Sequence, residues 1–267
     1  MSKKQDGPKV LIFDLETSYL ETTTKHWNSH VQDYIPHDKM SVKEWSILTF
    51  SAKWLGDPKI TYVDTSKNKN YRDDKNVVLA LRELLDECDI IITKNGKRFD
   101  EKMFNARCVK HGIPQPSPYK HIDTEQILRR KFKLVSYSLE YACEFFNTKH
   151  KKLKHENFHG MKLWEECMAG NKKAWAEMKK YNIHDILSTE DLWVAIQAWD
   201  NTAPDFNLFR NDNSIIICNC GSSKLQRRGY NITKTGKNPR LQCTKCGRWH
   251  TLKENAMNKE RKKILFK

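Results

Sequence analysis

The run Val10-Leu11-Ile12-Phe13-Asp14-Leu15-Glu16-Thr17-Ser18 constrains this chain more than any other stretch. Its apolar, β-branched start, opened by Gly7-Pro8, predicts a buried strand, because such side chains suit a pleated surface packed against other elements. Asp14 and Glu16 are two residues apart, so on a strand they leave the same face. Two carboxylates held side by side repel and resist desolvation unless a strong positive charge lies between them. A divalent cation with oxygen ligands meets that need. For an isolated Asp-x-Glu the alternative is a strand end, with Asp14 at a turn and Glu16 in solvent. Further acids in fitting contexts decide between the two.

The pattern downstream is that of an α/β chain. Residues 19–43, polar and rich in His, Thr and Asn, read as a long loop. Residues 45–55 and 59–64 read as two strands joined at Gly56-Asp57-Pro58. Val77, Val78, Leu81, Leu84 and Leu85 recur at helical spacing, so residues 76–88 form a helix that lies on a sheet. A short buried strand over 89–93 and a helix over 100–111 follow, the helix ended by Gly112-Ile113-Pro114. Residues 121–124 read as a brief strand before a helix over 125–132, and Ser138 caps a helix reaching Asn147. A helical region over 162–199 breaks near Gly170-Asn171. The fold class is therefore a mixed β-sheet flanked by helices.

Two more acidic motifs lie in this frame. Asn95-Gly96-Lys97-Arg98-Phe99-Asp100 follows the strand at 89–93, and taken alone Asp100 reads as a helix N-cap. In Tyr181-Asn182-Ile183-His184-Asp185, Tyr181 and Asp185 are four apart and share a helical face. In this order and context, the three motifs resemble those of the DEDD 3′-5′ exonuclease superfamily in its tyrosine variant. That superfamily has an RNase H-like fold and includes the proofreading domains of family B DNA polymerases. The resemblance covers residues 9–199 and extends to Asp123-Thr124 and Tyr137-Ser138-Leu139-Glu140-Tyr141-Ala142. The remaining length is too short for a polymerase domain, so the expectation is a stand-alone nuclease.

By that resemblance the chain is a metal-dependent 3′-5′ exonuclease using two Mg²⁺ or Mn²⁺ ions. Phosphodiester hydrolysis develops charge on both the attacking and the leaving oxygen, and a pair of ions stabilises both. Hard cations ask for hard oxygen ligands. The resemblance implies that Asp14, Glu16 and Asp185 hold one ion, that Asp14 bridges to the second, and that Asp100 assists through water. It assigns Tyr181 to orienting the attacking water, since a phenol with a pKa near 10 is a poor base at neutral pH. Thr17, Asn95 and Phe99 would contact substrate, although Phe99 also reads as a core residue. The histidine variant places its His five residues before the last Asp. His184 instead immediately precedes Asp185, so Tyr181 is the expected partner and His184 is structural or touches substrate. Asp123 reads as structural. Lys149, Lys151, Lys152 and Lys154 either track a phosphate backbone or form a solvated loop.

Charge and cysteines both single out the end of the chain. From residue 201 to 267 there are 15 Lys and Arg against 4 Asp and Glu, net +11, leaving +4 for the first 200 residues (33 against 29). Such asymmetry suits a polyanion-binding module on a nearly balanced domain. Cys88, Cys108, Cys143 and Cys167 are scattered and read as inert buried thiols. Cys218-Asn219-Cys220 and Cys243-Thr244-Lys245-Cys246, about twenty residues apart, have the spacing of a zinc ribbon with one structural Zn²⁺. The first pair is Cys-x-Cys instead of Cys-x-x-Cys, and His250 is an alternative ligand. Arg227, Arg228, Arg240 and Trp249 offer charges for phosphates and a face for base stacking. The module resembles zinc ribbons of transposases and transcription factors, which implies nucleic-acid or protein contact.

The expected organisation is a nuclease domain over 1–200, a linker over 201–213, the ribbon over 214–252 and a basic tail over 253–267. No stretch approaches the ~20 apolar residues of a membrane span, and nothing resembles a signal peptide, so the expectation is a soluble cytoplasmic protein without membrane partners. Its expected partner is single-stranded nucleic acid, DNA before RNA, with a protein partner through the ribbon as a further possibility. Rival readings are a ribonuclease or structure-selective endonuclease on the same fold, or a non-catalytic nucleic-acid-binding adaptor.

Overall fold

In the computed structural model β1 (Val10–Thr17) is the central strand of a five-stranded sheet. The structure describes residues 7–24, 38, 40–151, 153, 157–211 and 214–258. β1 pairs antiparallel with β4 (Ile47–Trp54), and β5 (Ile60–Asp64) extends that side through its own antiparallel pairing with β4. On its other side β1 runs parallel to β6 (Ile90–Thr93), and β7 (Lys120–Asp123) runs parallel to β6. The order β5-β4-β1-β6-β7 is the mixed sheet the sequence predicts. Parallel pairing puts the carboxyl ends of β1, β6 and β7 along one edge.

Alternation along β1 sorts its side chains between two cores. Leu11, Phe13 and Leu15 pack with Val78, Leu81 and Leu85 of α1 (Lys75–Glu87) and Phe104 of α2 (Asp100–Lys110). Val10 and Ile12 face the opposite layer, with Ile127 and Leu128 of α3 (Thr124–Lys131), Ala142 of α4 (Leu139–Phe145), and Ile186 and Trp193 of α6 (Lys172–Ile196). Asp14 and Glu16 continue the even-numbered side, so the pleat that buries Val10 and Ile12 aims both acids at α6. A short helix, α5 (Lys162–Met168), packs on α6. The break between them falls where the sequence predicts it: Gly170 has φ 84°, and the Asn171 side chain accepts from Lys173 N–H at 2.9 Å to cap α6. Ser138 likewise caps α4, accepting from Tyr141 N–H at 3.3 Å.

One expectation is corrected. The stretch read as a loop over 19–43 contains a two-stranded antiparallel ribbon, β2 (Glu21–Thr24) with β3 (Met40–Lys43). Neither strand is buried, so there was no apolar alternation to reveal them, although Thr22, Thr23, Thr24 and Val42 are good strand formers. Residues 25–37 and 39 lie outside the described residues.

Beyond α6 the chain does not leave the first layer at once. Ala203, Phe206 and Phe209 pack on the cluster that holds Trp193 and Ile196. A three-stranded antiparallel sheet then forms from β8 (Leu225–Ile232), β9 (Lys237–Cys243) and β10 (Trp249–Thr251), in the order β10-β9-β8. It is tied back by Asn219, whose amide donates to Pro204 O at 2.8 Å and accepts from Phe206 N–H at 3.0 Å. Arg248, buried, donates to Gln197 O at 3.0 Å. The basic tail beyond residue 258 lies outside the described residues. Among the described residues no helix is long and apolar enough to cross a membrane.

Candidate active site

Carboxylate oxygens of Asp14, Glu16 and Asp185 converge, all within 4.8 Å of one another. β1 supplies the first two at its carboxyl end, and α6, crossing that face, supplies Asp185. Tyr181 sits one turn before Asp185 and is buried with it. Two neighbours that the sequence did not single out hold the acids in place. The Asn182 amide, fully buried, donates to Asp14 Oδ2 at 2.8 Å. The Trp164 indole N–H donates to Glu16 Oε2 at 3.1 Å, and its ring meets Tyr181 edge-on at 5.9 Å between centroids. Asn182 lies inside the Tyr181–Asp185 motif, three residues before Asp185 and so on the same helical face. Trp164 lies on α5, and no spacing rule connects it to β1.

Asp100 has a different place from the one its position suggests. Phe99 is the N-cap of α2 and Asp100 is the first helical residue, so the capping role is corrected. Its Oδ1 accepts the Leu15 N–H at 3.0 Å. β6 pairs with β1 only from Val10 to Ile12, so beyond that point the sheet has no acceptor for Leu15, and Asp100 supplies one. The carboxylate therefore fixes the backbone between Asp14 and Glu16, and it is not one of the three converging acids. Burial pushes its pKa up to about 7, opposed by the Leu15 N–H. The Tyr181 phenol is raised above its ordinary value by burial first and then by Asp185, Glu16 and Asp14. It stays protonated at neutral pH and acts as a hydrogen-bond donor.

The loop between β6 and α2 is held rigidly. Asp123 accepts from Asn95 N–H at 3.0 Å, Lys97 N–H at 3.2 Å and Glu125 N–H at 2.9 Å, so one buried carboxylate pins the loop and caps α3. Asn95 takes φ 63°, and a Cβ at Gly96 would sit 2.3 Å from Thr93 Oγ1, which restricts that position to glycine. Phe99 is 43% exposed, which corrects the core reading; Phe104 fills the core instead. Thr17 ends β1 where the register with β4 shifts. His184 lies against His150, with ring centroids 5.6 Å apart, and is not among the converging groups. Lys149 is exposed, Lys151 donates to Cys143 O at 3.0 Å, and Lys152 and Lys154 lie outside the described residues.

At the other end of the chain, the sulfurs of Cys218, Cys220, Cys243 and Cys246 also lie within 4.8 Å of one another. Cys218 and Cys246 are 3.6 Å apart, and Cys220 and Cys243 3.7 Å. A zinc tetrahedron with bonds of about 2.3 Å has an edge of about 3.8 Å, whereas a disulfide would bring sulfurs to about 2 Å. The donor set thus fits Zn²⁺, and the Cys-x-Cys bite supplies both of its sulfurs. His250 is outside the cluster. Burial raises the Cys243 thiol, but the Cys246 and Lys245 N–H groups outweigh it and bring it down to about 7. On the sheet, Arg227 and Lys237 lie over Tyr230 at 5.3 and 4.3 Å, and Arg240 lies over Trp249 at 5.1 Å. Arg228 is held by Gln226 at 3.0 Å. Cys88, Cys108, Cys143 and Cys167 are buried with thiols raised by desolvation.

Comparison with known proteins gives two findings. A family model described as the RNase H superfamily matches residues 37–197. The family B DNA polymerase from the hyperthermophilic archaeon Pyrobaculum calidifontis is similar in structure over 72% of this chain and 25% of that chain, with TM-score 0.50 and 16% identity. The chain thus spans about a quarter of that polymerase, and likeness at this identity speaks to the fold. No curated protein matches the sequence.

Proposed function

The chain belongs to the RNase H superfamily, and from that premise we propose that it is a metal-dependent 3′-5′ exonuclease acting on single-stranded nucleic acid, DNA before RNA. The observation that carries this reading is the convergence of Asp14, Glu16 and Asp185 beside a protonated Tyr181. Three carboxylates drawn within 4.8 Å are mutually repulsive without a cation, and their oxygens are the donors that Mg²⁺ and Mn²⁺ prefer. Asp14, Glu16 and Asp185 would hold the ions. When bound, a pair of such ions offsets the charge that develops on the attacking and leaving oxygens. Tyr181 donates a hydrogen bond that orients the attacking water. Asp100 acts on the pair through the backbone, holding Leu15 so that the acids on either side stay aimed at α6. Thr17, at the end of β1, and Asn95 and Phe99, on the loop between β6 and α2, are the residues this reading assigns to receiving the chain terminus.

The ribbon is assigned to substrate capture. Its cation–aromatic pairs combine charges for phosphates with ring faces for bases, which suits a flexible single strand. Linear 3′-labelled, linear 5′-labelled and circular single strands, of DNA and of RNA, separate the readings. An exonuclease degrades the linear strands and leaves circles intact; cut circles would establish endonuclease action instead. Mg²⁺ or Mn²⁺ is best omitted and restored in this assay, since a chelator would also strip the ribbon.

Trp164→Phe removes the N–H that holds Glu16 and leaves a smaller aromatic ring in its place. Outer partners of metal ligands are worth about 10–100-fold in affinity. Mn²⁺ binding followed by electron paramagnetic resonance should weaken by that order, with thermal stability little changed. Equal Mn²⁺ affinity in both proteins would remove Trp164 from this role.

A further inference from the structure

The carboxyl ends of β1, β6 and β7 share one edge of the sheet, and the acid cluster occupies only the β1 end. Two strands away, at the β7 end, lies an open cavity of about 310 Å³ lined by residues including Asn95, Arg98, Asp123, Glu125, Arg129 and Arg130. Neighbouring strands are ~4.8 Å apart, so the two features are separated by roughly 10 Å.

The acids of this cavity are already satisfied by the protein. Asp123 accepts three backbone N–H groups, and Glu125 pairs with Lys94 at 2.5 Å and with Arg129 at 2.8 Å. Arg130 pairs with Asp200 at 3.3 Å. Arg98 is exposed and makes no ion pair among the described residues. The cavity therefore presents a guanidinium in excess, on a loop whose backbone Asp123 and Gly96 hold rigid. A guanidinium fork carried on a held backbone matches the paired oxygens of a phosphodiester. Arg98 is also two residues from Asp100, whose carboxylate holds the Leu15 N–H between Asp14 and Glu16, so this loop links the cavity to the strand that carries the acids.

We propose that this groove, anchored by Arg98, binds a backbone phosphate of the substrate strand at some distance from the linkage that is cut, a role that rests on the nuclease reading. A stacked strand advances ~3.4 Å per nucleotide, so roughly 10 Å corresponds to two or three nucleotides. The groove accounts for grip on the retained strand, and the acid cluster for the reaction at its end.

The test uses the full chain carrying Asp14→Ala, without added Mg²⁺ or Mn²⁺, and a fluorescent single-stranded DNA 12-mer followed by anisotropy. Adding Arg98→Ala should weaken binding by about tenfold, the scale of one hydrogen-bonded charge contact. It should also reduce the slope of log affinity against log salt by about 0.7, the loss of one phosphate contact on a single strand. Arg98→Lys should fall between the two. Neutral methylphosphonates placed singly along the 12-mer identify the contact. One linkage two or three nucleotides from the 3′ end should weaken binding to the parent and have no further effect on the Arg98→Ala protein. Unchanged affinity and slope in Arg98→Ala overturn the proposal, as does a methylphosphonate profile identical in both proteins. Hydrolysis of the same 12-mer by the unsubstituted chain keeps the two readings apart. Arg98-dependent binding without hydrolysis would sink the nuclease reading and leave the groove, and hydrolysis with Arg98-independent binding would sink the groove alone.

Discussion

Asp14→Ala and Asp185→Ala should each abolish hydrolysis while leaving nucleic-acid binding intact. Losing an outer partner of a ligand costs about 10–100-fold, and under the proposed reading either substitution removes one of the carboxylates that would hold the ions, so a fall of more than about 10³-fold is expected. Initial rates on a 3′-labelled strand, with anisotropy on the same protein, give both halves of the result. Substantial residual activity in Asp14→Ala would sink the catalytic reading. Loss of binding in step with activity would show that the acids hold the fold and not the reaction.

The second large effect is in the ribbon. Structural zinc contributes about 10–16 kcal/mol of binding free energy in small zinc-folded modules, far more than the apolar surface of three short strands can supply. Cys243→Ser should therefore release the ion, collapse the dispersion of amide signals from residues 214–258, and leave the five-stranded sheet's unfolding transition in place. Metal content by native mass spectrometry and the amide spectrum read this directly. A Cys243→Ser protein that keeps a dispersed ribbon would show that the sheet folds without metal.

Legibility in the sequence followed how local each cause is. The carboxylate pair on β1 and the Tyr181–Asp185 pair depend on periods of two and four, so residue spacing alone places them on shared faces. The four cysteines are legible for a similar reason, since a short bite at each end of a hairpin brings sulfurs together. Asp100 is legible as a motif residue, but its role is not. Its partner is a backbone N–H 85 residues away, exposed by the early end of β6, and no local pattern encodes where a neighbouring strand stops. Trp164 escaped for the same reason, being 148 residues from Glu16. The β2–β3 pair was missed because a solvated ribbon has no buried face to impose a rhythm on the sequence.

α6 links these parts mechanically. Asp185 lies in its middle, and the Gln197 carbonyl just past its end takes the Arg248 guanidinium of the ribbon. The 12 residue steps from one to the other span ~18 Å of rod. That length equals about five stacked nucleotides. Under the proposed reading the helix works as a ruler. A strand longer than that interval can reach both the acids and the ribbon end of the rod, whereas a shorter remnant is held only by the acid cluster and the Arg98 groove. The fixed rise of one helix would then set the length at which digestion slows.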